Sequence, residues 1–169
     1  MSTVRGRLAW AKESDLFEAL NEDIKAHVEA ECDVVIGTRD ASNMPHVGRV
    51  WGPRLNLDDG TLELFVDLPK STDVLLDVRD NARVAVTFVH PMTDRCIQLK
   101  GRCLEVGDAA ADDWAWIERH RAGFAELVKH FGYAPHLVRN MWSMQVKKLR
   151  ISVEAGFDQT PGPGAGKPL

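Results

Sequence analysis

Between Asp33 and Gly107 the sequence is a succession of short, β-branched, alternating runs separated by tight-turn residues, and this pattern points to a mainly antiparallel β architecture. Asp33-Val34-Val35-Ile36-Gly37-Thr38 is the first run, and Asp40-Ala41-Ser42-Asn43 reads as the turn after it. His46 to Leu57 is a second extended run with Val47, Val50, Leu55 and Leu57 among its apolar positions. Asp58-Asp59-Gly60 joins it to Thr61–Val66, where Leu62, Leu64 and Val66 alternate, so the spacing predicts a hairpin. Ala82–Val89 is a valine-rich strand ended by His90-Pro91. Arg95–Val106 is a long extended run through Ile97, Leu99, Cys103 and Val106, and Gln145–Val153 gives a last strand through Val146, Leu149, Ile151 and Val153.

Three helical patterns flank these runs. Residues 13–30 place Leu16, Phe17, Leu20, Ile24 and Val28 at helical spacing, with Ser14 as a candidate cap. A short helix starts at Ser71 or Thr72, carries Val74, Leu75 and Val78 on one side, and closes at Asn81. Ala109–Phe131 is a longer one, with Trp114, Ile117, Arg121, Phe124, Leu127, Val128 and Phe131 at mixed three-to-four spacing. Trp116 falls outside that stripe and is free to cover another surface or a partner. Gly132-Tyr133-Ala134-Pro135 breaks the chain. Six strands in this arrangement give no βαβ alternation, so an antiparallel barrel or sandwich with helical flanks is expected. The tail, with two Pro-Gly pairs within residues 157–166, reads as disordered by composition. The expected organisation is therefore one domain over residues 1–156 and a Pro/Gly-rich tail over 157–169.

A length of 169 residues suits a single domain with a real core. The formal net charge of −4 argues against a sequence-independent nucleic-acid binder but leaves room for a local basic pocket. Cys32, Cys96 and Cys103 are odd in number and lack paired spacing, so neither a disulfide framework nor a zinc site is expected, and no metal is. Met1–Lys12 has no apolar signal core, and no apolar run approaches the ~20 residues of a membrane span. The expectation is a cytoplasmic protein without nucleic-acid or membrane partners.

Three polar clusters interrupt the apolar pattern. Lys70-Ser71-Thr72 lies at a helix N-terminus, where free N–H groups, a cation and two hydroxyls suit an anion; the plain alternative is an ordinary cap beside a solvated lysine. Arg49 lies with Val50 and Trp51 in an apolar-aromatic strand, as a ligand partner or as a surface residue of an edge strand. Trp51 either walls a planar ligand or fills the barrel. Arg95, Cys96 and Gln98 form the third cluster; Gln98 both donates and accepts, whereas a lone strand Cys is commonly a small core hydrophobe. His46, His90, His120, His130 and His136 are assigned no catalysis, with His120 and His130 read as exposed helix positions. No nucleophile–base triad or carboxylate dyad is recognisable, and catalytic residues stay unassigned.

The order of elements resembles the pyridoxamine 5′-phosphate oxidase-like superfamily, the FMN-binding split barrels, over roughly Glu18–Val153. The resemblance is carried by Gly48-Arg49-Val50-Trp51 with the hairpin after it, by Lys70-Ser71-Thr72 where that family has a Ser-Arg-Lys phosphate loop, by Asn81–Phe88, and by Arg95-Cys96-Ile97-Gln98-Leu99-Lys100-Gly101. It implies an antiparallel split β-barrel of about six strands. It also implies FMN held by Arg49, Val50, Trp51, Lys70, Ser71, Thr72, Arg95, Cys96 and Gln98, and a homodimer with the cofactor at its interface. Trp142 and the 157–166 tail then become candidates for closing the pocket from the other subunit. Cys96 stands where the family usually has a flavin-contacting Gln, and Gln98 follows on the same strand face. The oxidase's substrate-binding C-terminal Arg and His have no match, so another small-molecule redox substrate is implied. Relatives of this barrel bind F420 or haem, and a non-catalytic flavin-binding or sensing module is a further reading.

Overall fold

The computed structural model describes residues 18–169. Ser14 and the start of the expected first helix lie outside them. Within them, helix α1 (Glu22–Val28) starts at Asn21, whose side-chain oxygen accepts from the N–H groups of Asp23 (3.0 Å) and Ile24 (3.1 Å). The strands are β1 (Asp33–Arg39), β2 (Pro45–Asn56), β3 (Thr61–Asp67), β4 (Arg83–Val89), β5 (Cys96–Asp108), β6 (Val146–Asp158) and β7 (Lys167–Pro168). Helix α2 (Thr72–Asn81) follows β3 after a 3₁₀ turn at Leu68–Lys70. Helix α3 (Ala111–Val128) follows β5 and runs into a second 3₁₀ turn, Lys129–Phe131. Pro135–Arg139 forms α4, a short helix that the Gly-Tyr-Ala-Pro break concealed.

All strand pairs are antiparallel, in the order β3-β2-β1-β4-β5-β6-β7, and β3 also pairs with β6. Six strands thus close into a barrel flanked by helices, the fold expected from the sequence. The closure is uneven. The first half of β6 pairs with β3, from Asp67↔Val146 to Thr61↔Ser152, while nearly the whole of β6 pairs with β5. The second half of β6 therefore has a free edge, and β7 covers its end.

One extra residue in β2 sets which side chains enter the core. From Trp51 to Arg54 the strand advances three positions while β3 advances two, through Gly52 at φ +52° and Pro53. The bulge reverses the inside–outside parity. Val50 and Leu55, an odd number of residues apart, consequently both face the barrel interior, opposite Val66 and Leu62. β3 is buried on both faces: Leu62, Leu64 and Val66 line the barrel, while Phe65 lies under α3 in a second core with Trp51, Ile117, Phe124, Val128, Val138 and Val146.

The C-terminal segment differs from its compositional reading. Phe157 and Asp158 continue β6, so the expected boundary at residue 156 falls inside a strand. Gln159 donates to the Cys96 carbonyl (2.7 Å), the chain turns through Gly162 and Gly166 at positive φ, and Leu169 donates back to Gly156 (3.1 Å). The Pro-Gly pairs serve this reversal, and Leu169 packs against the barrel core of its own chain.

β5 crosses β6 so tightly at Gly101 that an added Cβ would lie 2.0 Å from the Ser152 carbonyl oxygen. Gly101→Ala is expected to lose about 1–3 kcal/mol of stability by forcing the strands apart, as read by urea denaturation. An unchanged midpoint would show that the crossing is looser than this.

Candidate functional site

Arg49 and Trp51 leave the outer face of β2 on the side covered by α3, while the Val50 side chain points into the barrel core. The Arg49 guanidinium is ion-paired with Asp33 and sits 5.8 Å from the Trp51 ring and 5.9 Å from that of Phe124. Trp51 is 1% exposed. It fills the space between barrel and helix rather than the barrel interior, edge-on to His120, Phe124 and Trp142 at 6.0–6.5 Å between centroids. Its Nε1 donates to Asp67 Oδ2 at 3.0 Å.

Asp67, at the end of β3, and Arg121, on α3, are both fully buried and pair at 3.2 Å. Arg121 also donates to Glu118 (3.0 Å) and to the Ser143 carbonyl (2.8 Å). Its guanidinium lies 5.4 Å from the Trp51 ring and 5.6 Å from that of Trp142. Burial pushes the Asp67 carboxyl above its usual range, opposed by the Trp51 hydrogen bond and by Arg121. The sequence signal for this pair was an acid ending an apolar strand and a cation inside a helical apolar stripe. His120, one residue before Arg121, is buried rather than exposed, and neither ring nitrogen has a hydrogen-bond partner. Desolvation pushes its pKa down to about 4. Trp116 covers its own β2, with Nε1 donating to the Gly52 carbonyl (3.0 Å).

Lys70-Ser71-Thr72 lies at the start of α2, which is held to the barrel by Asp77: Thr38 Oγ1 donates to it (2.7 Å) and His46 Nδ1 lies 2.8 Å away. Lys70 Nζ donates to the carbonyls of Asn140 (3.1 Å) and Met141 (3.3 Å). Ser71 occupies the N-cap position without capping; its hydroxyl is buried, has no hydrogen-bond partner, and points at the space a side chain on Gly48 would fill. Thr72 Oγ1 donates weakly to Leu68 O (3.4 Å). Residues 135–145 form a strap over Trp51, tied down by Lys70, by Arg121 at Ser143, and by Leu68 N–H to Gln145 O (2.9 Å). Trp142 belongs to this strap and packs on its own chain, with its Nε1 buried and unpartnered.

The third cluster lies across the sheet. Arg49, Val35, Thr87 and Gln98 occupy successive positions of one cross-strand row on β2, β1, β4 and β5. Three strand spacings separate Arg49 from Gln98, about 14 Å. Gln98 Nε2 donates to Thr87 Oγ1 at 3.0 Å. Arg95 is turned to Asp23 near α1, and Cys96 is buried beneath the tail, its backbone N–H donating to Thr160 Oγ1 (3.1 Å). Burial raises the thiol pKa of Cys96 and drives that of Cys32 up to about 12, so neither is a ready thiolate. The structure thus gathers Arg49, Trp51, Lys70 and Trp142 on one side, turns the Ser71 hydroxyl to the inward face of β2 at Gly48, and leaves Arg95 and Cys96 at another end.

A cavity of about 390 Å³ opens beside Arg49, between the sheet and the α3–α4 segment. A larger cleft of about 720 Å³ lies near Arg54, Glu63 and Arg150, but those charges are already matched with Asp113, Lys148 and Asp59. Among the described residues no three His, Cys, Asp or Glu side chains converge as metal ligands would, and no helix is long and apolar enough to cross a membrane.

No family model matches the sequence, and no curated protein matches it. Solved structures do. HupZ of Group A Streptococcus aligns with a TM-score of 0.53 at 18% identity, over 87% of this chain and 99% of that one. An F420 reductase aligns at 0.51 and 11% identity, over 78% and 94%. A candidate pyridoxamine 5′-phosphate oxidase from Lactobacillus delbrueckii aligns at 0.51 and 16%, over 82% and 93%. At these identities the likeness is one of fold: this chain has the split barrel of the pyridoxamine 5′-phosphate oxidase-like proteins.

Two predictions concern the second core. Arg121→Met strands the Asp67 carboxylate without its cation and is expected to cost about 3–5 kcal/mol. The double variant Asp67→Asn/Arg121→Met, which keeps an acceptor for Trp51, should lose less in the same urea titration; an equal or greater loss would refute the pairing. His120 has a folded pKa below its ordinary 6.5, so the unfolded chain binds the proton more tightly. Stability is therefore fully present above pH 6.5 and is lost as pH falls toward 4, by about 3 kcal/mol from this residue. His120→Leu should flatten that part of the pH–stability curve, and a wild-type slope in the variant would contradict it.

Proposed function

We propose that this protein binds FMN on the Arg49–Lys70 side of the barrel and works as a homodimeric flavin-dependent oxidoreductase. The observation that carries this reading is the charge inventory. Arg49, Arg95 and Arg121 each have a carboxylate partner, whereas Lys70, at the start of α2, bonds among the described residues only to backbone carbonyls.

The donor set suits a phosphorylated flavin. An uncapped helix start of ten residues presents N–H groups, and the macrodipole favours an anion there. Lys70 has three donor hydrogens, two of them on carbonyls. The Ser71 hydroxyl is an orphan at the helix start that it fails to cap. Lys70, Ser71 and Thr72 would hold the phosphate. Arg49 would donate to the ring, and Gln98, with its amide oxygen uncommitted, would meet it from the next part of the row. When bound, the flavin supplies hydride or electron transfer, and the protein supplies position and electrostatics.

The dimer reading rests on the outer face of β1, β4, β5 and β6. Val35, Gly37, Ala85 and Ala155 there are half-buried, and Val47 beside them is 66% exposed. A second copy on this face would enclose the row from Arg49 to Gln98. The three free cysteines suit the reducing cytoplasm in which we place the protein.

The purified protein is expected to show an oxidised-flavin spectrum, with FMN released on denaturation. A deazaflavin band or a Soret band would instead indicate F420 or haem in the same barrel. Bound FMN without turnover by any redox donor or acceptor would favour a sensing module. Lys70→Ala/Ser71→Ala should lower FMN affinity by about tenfold or more, from two charge-assisted or hydroxyl bonds, with the far-UV spectrum unchanged. Undiminished affinity in the folded double variant would refute the cradle.

A further inference from the structure

The cavity beside Arg49 has a chemistry of its own. Its deep walls are Phe124, Val128 and Val138, each less than a tenth exposed, and its rim is Phe131 and Tyr133, each more than half exposed. Exposed aromatic side chains over a concave apolar floor mark a ligand site rather than a flat contact surface. The volume of about 390 Å³ lies at the small end of the range for compact organic ligands.

Among the described residues, the only charged groups lining it are Arg49 and Asp33, and they are paired with each other. A ligand entering here meets no net charge. An anion would gain Arg49 but lie against the Asp33 carboxylate, and a cation would face the converse. A neutral oxygen acceptor has no such conflict, because the guanidinium has donors beyond the one bonded to Asp33. The aromatic rim and the guanidinium plane both favour a flat partner.

We infer that this cavity binds a neutral, flat, largely apolar molecule carrying a carbonyl-type oxygen, and that Arg49 donates to that oxygen through an N–H given neither to Asp33 nor to the flavin ring. On the flavin reading above, which it deepens, this is the class of the redox substrate, and the anionic pyridoxamine phosphate is disfavoured. Phe131 and Tyr133 cover the ring, and Val128 sets the depth.

A matched charge series tests it. Wild-type protein as purified is titrated by equilibrium dialysis with 2-acetonaphthone, with 2-naphthoate and with 2-(aminomethyl)naphthalene, which share one ring system. The neutral ketone is expected to bind about tenfold tighter than either ion. Val128→Phe, which fills the floor, should weaken ketone binding by about tenfold or more without altering flavin content. Phe131→Ala, at an exposed position that does not threaten folding, should weaken it several-fold. Absence of saturable ketone binding, equal affinity for the three probes, or indifference to both substitutions overturns the assignment. Ketone binding that follows these expectations in a protein devoid of flavin would uphold the cavity and refute the cofactor reading alone.

Discussion

A carboxylate and a guanidinium, both cut off from water, hold the outer half of this molecule together. Burying either charge alone would be prohibitive, so Asp67 and Arg121 require each other. Their remaining hydrogen-bonding capacity is spent on the parts that must be placed. Asp67 fixes the Trp51 indole against β2, and Arg121 fixes Ser143 in the strap. Three elements distant in sequence, β3, α3 and residues 135–145, are thereby set against one tryptophan. The floor of the candidate site is consequently rigid by electrostatics as much as by packing, and a lysine in place of Arg121 would supply neither the fork nor the stacking on Trp51 and Trp142.

The barrel contributes a different constraint. Closure by β3 and β6 leaves no open edge along the first half of β6, the bulge at Gly52-Pro53 keeps Leu55 inside with Val50, and alternation with Val50 turns Arg49 and Trp51 outward. A side chain on Gly48 would collide with Ser71, so glycine at that position is what lets the start of α2 approach β2. The close approach is on the inward face of β2, where Gly48 lies beside Ile36, so Ser71 meets the strand on the side opposite to Arg49 and Trp51.

The strands and the first hairpin were readable because alternation reports burial on one face directly. Val34 and Ile36, Leu62 and Leu64, Val84 and Val86 all point where that period sends them. Helical periodicity is less informative: it placed Arg121 in the stripe of α3 but read the buried His120 as exposed, and could not say that a buried Asp67 waits opposite. The C-terminal tail misled for a related reason. Its Pro and Gly residues disqualify it from long ladders, yet pairing of Phe157 and Asp158 needs only a few hydrogen bonds and a Leu169 anchor. The short helix α4 was hidden because Pro135, taken as a breaker, sits at a first-turn position where proline is tolerated. At the site itself, residue types were legible and their partners were not. Nothing local in the sequence ties Arg49 to Asp33 or Arg95 to Asp23.

Those partnerships decide the chemistry. With Arg49, Arg95 and Arg121 each paired to a carboxylate, Lys70 keeps its charge for an anion, and the cavity floor at Arg49 is left polar but uncharged. The two regions adjoin through Met141, which lines the cavity and whose carbonyl accepts from Lys70. Both of Lys70's present acceptors are neutral carbonyls, and a phosphate oxygen is the stronger partner for an ammonium. An anion at Lys70 therefore competes with the strap at Asn140 and Met141, whereas the strap's hold through Ser143 and Gln145 is untouched. The fold in this way joins an anion-seeking corner to a charge-neutral apolar cavity through one peptide segment, the division of labour that a cofactor with a phosphate tail and a planar, uncharged substrate require.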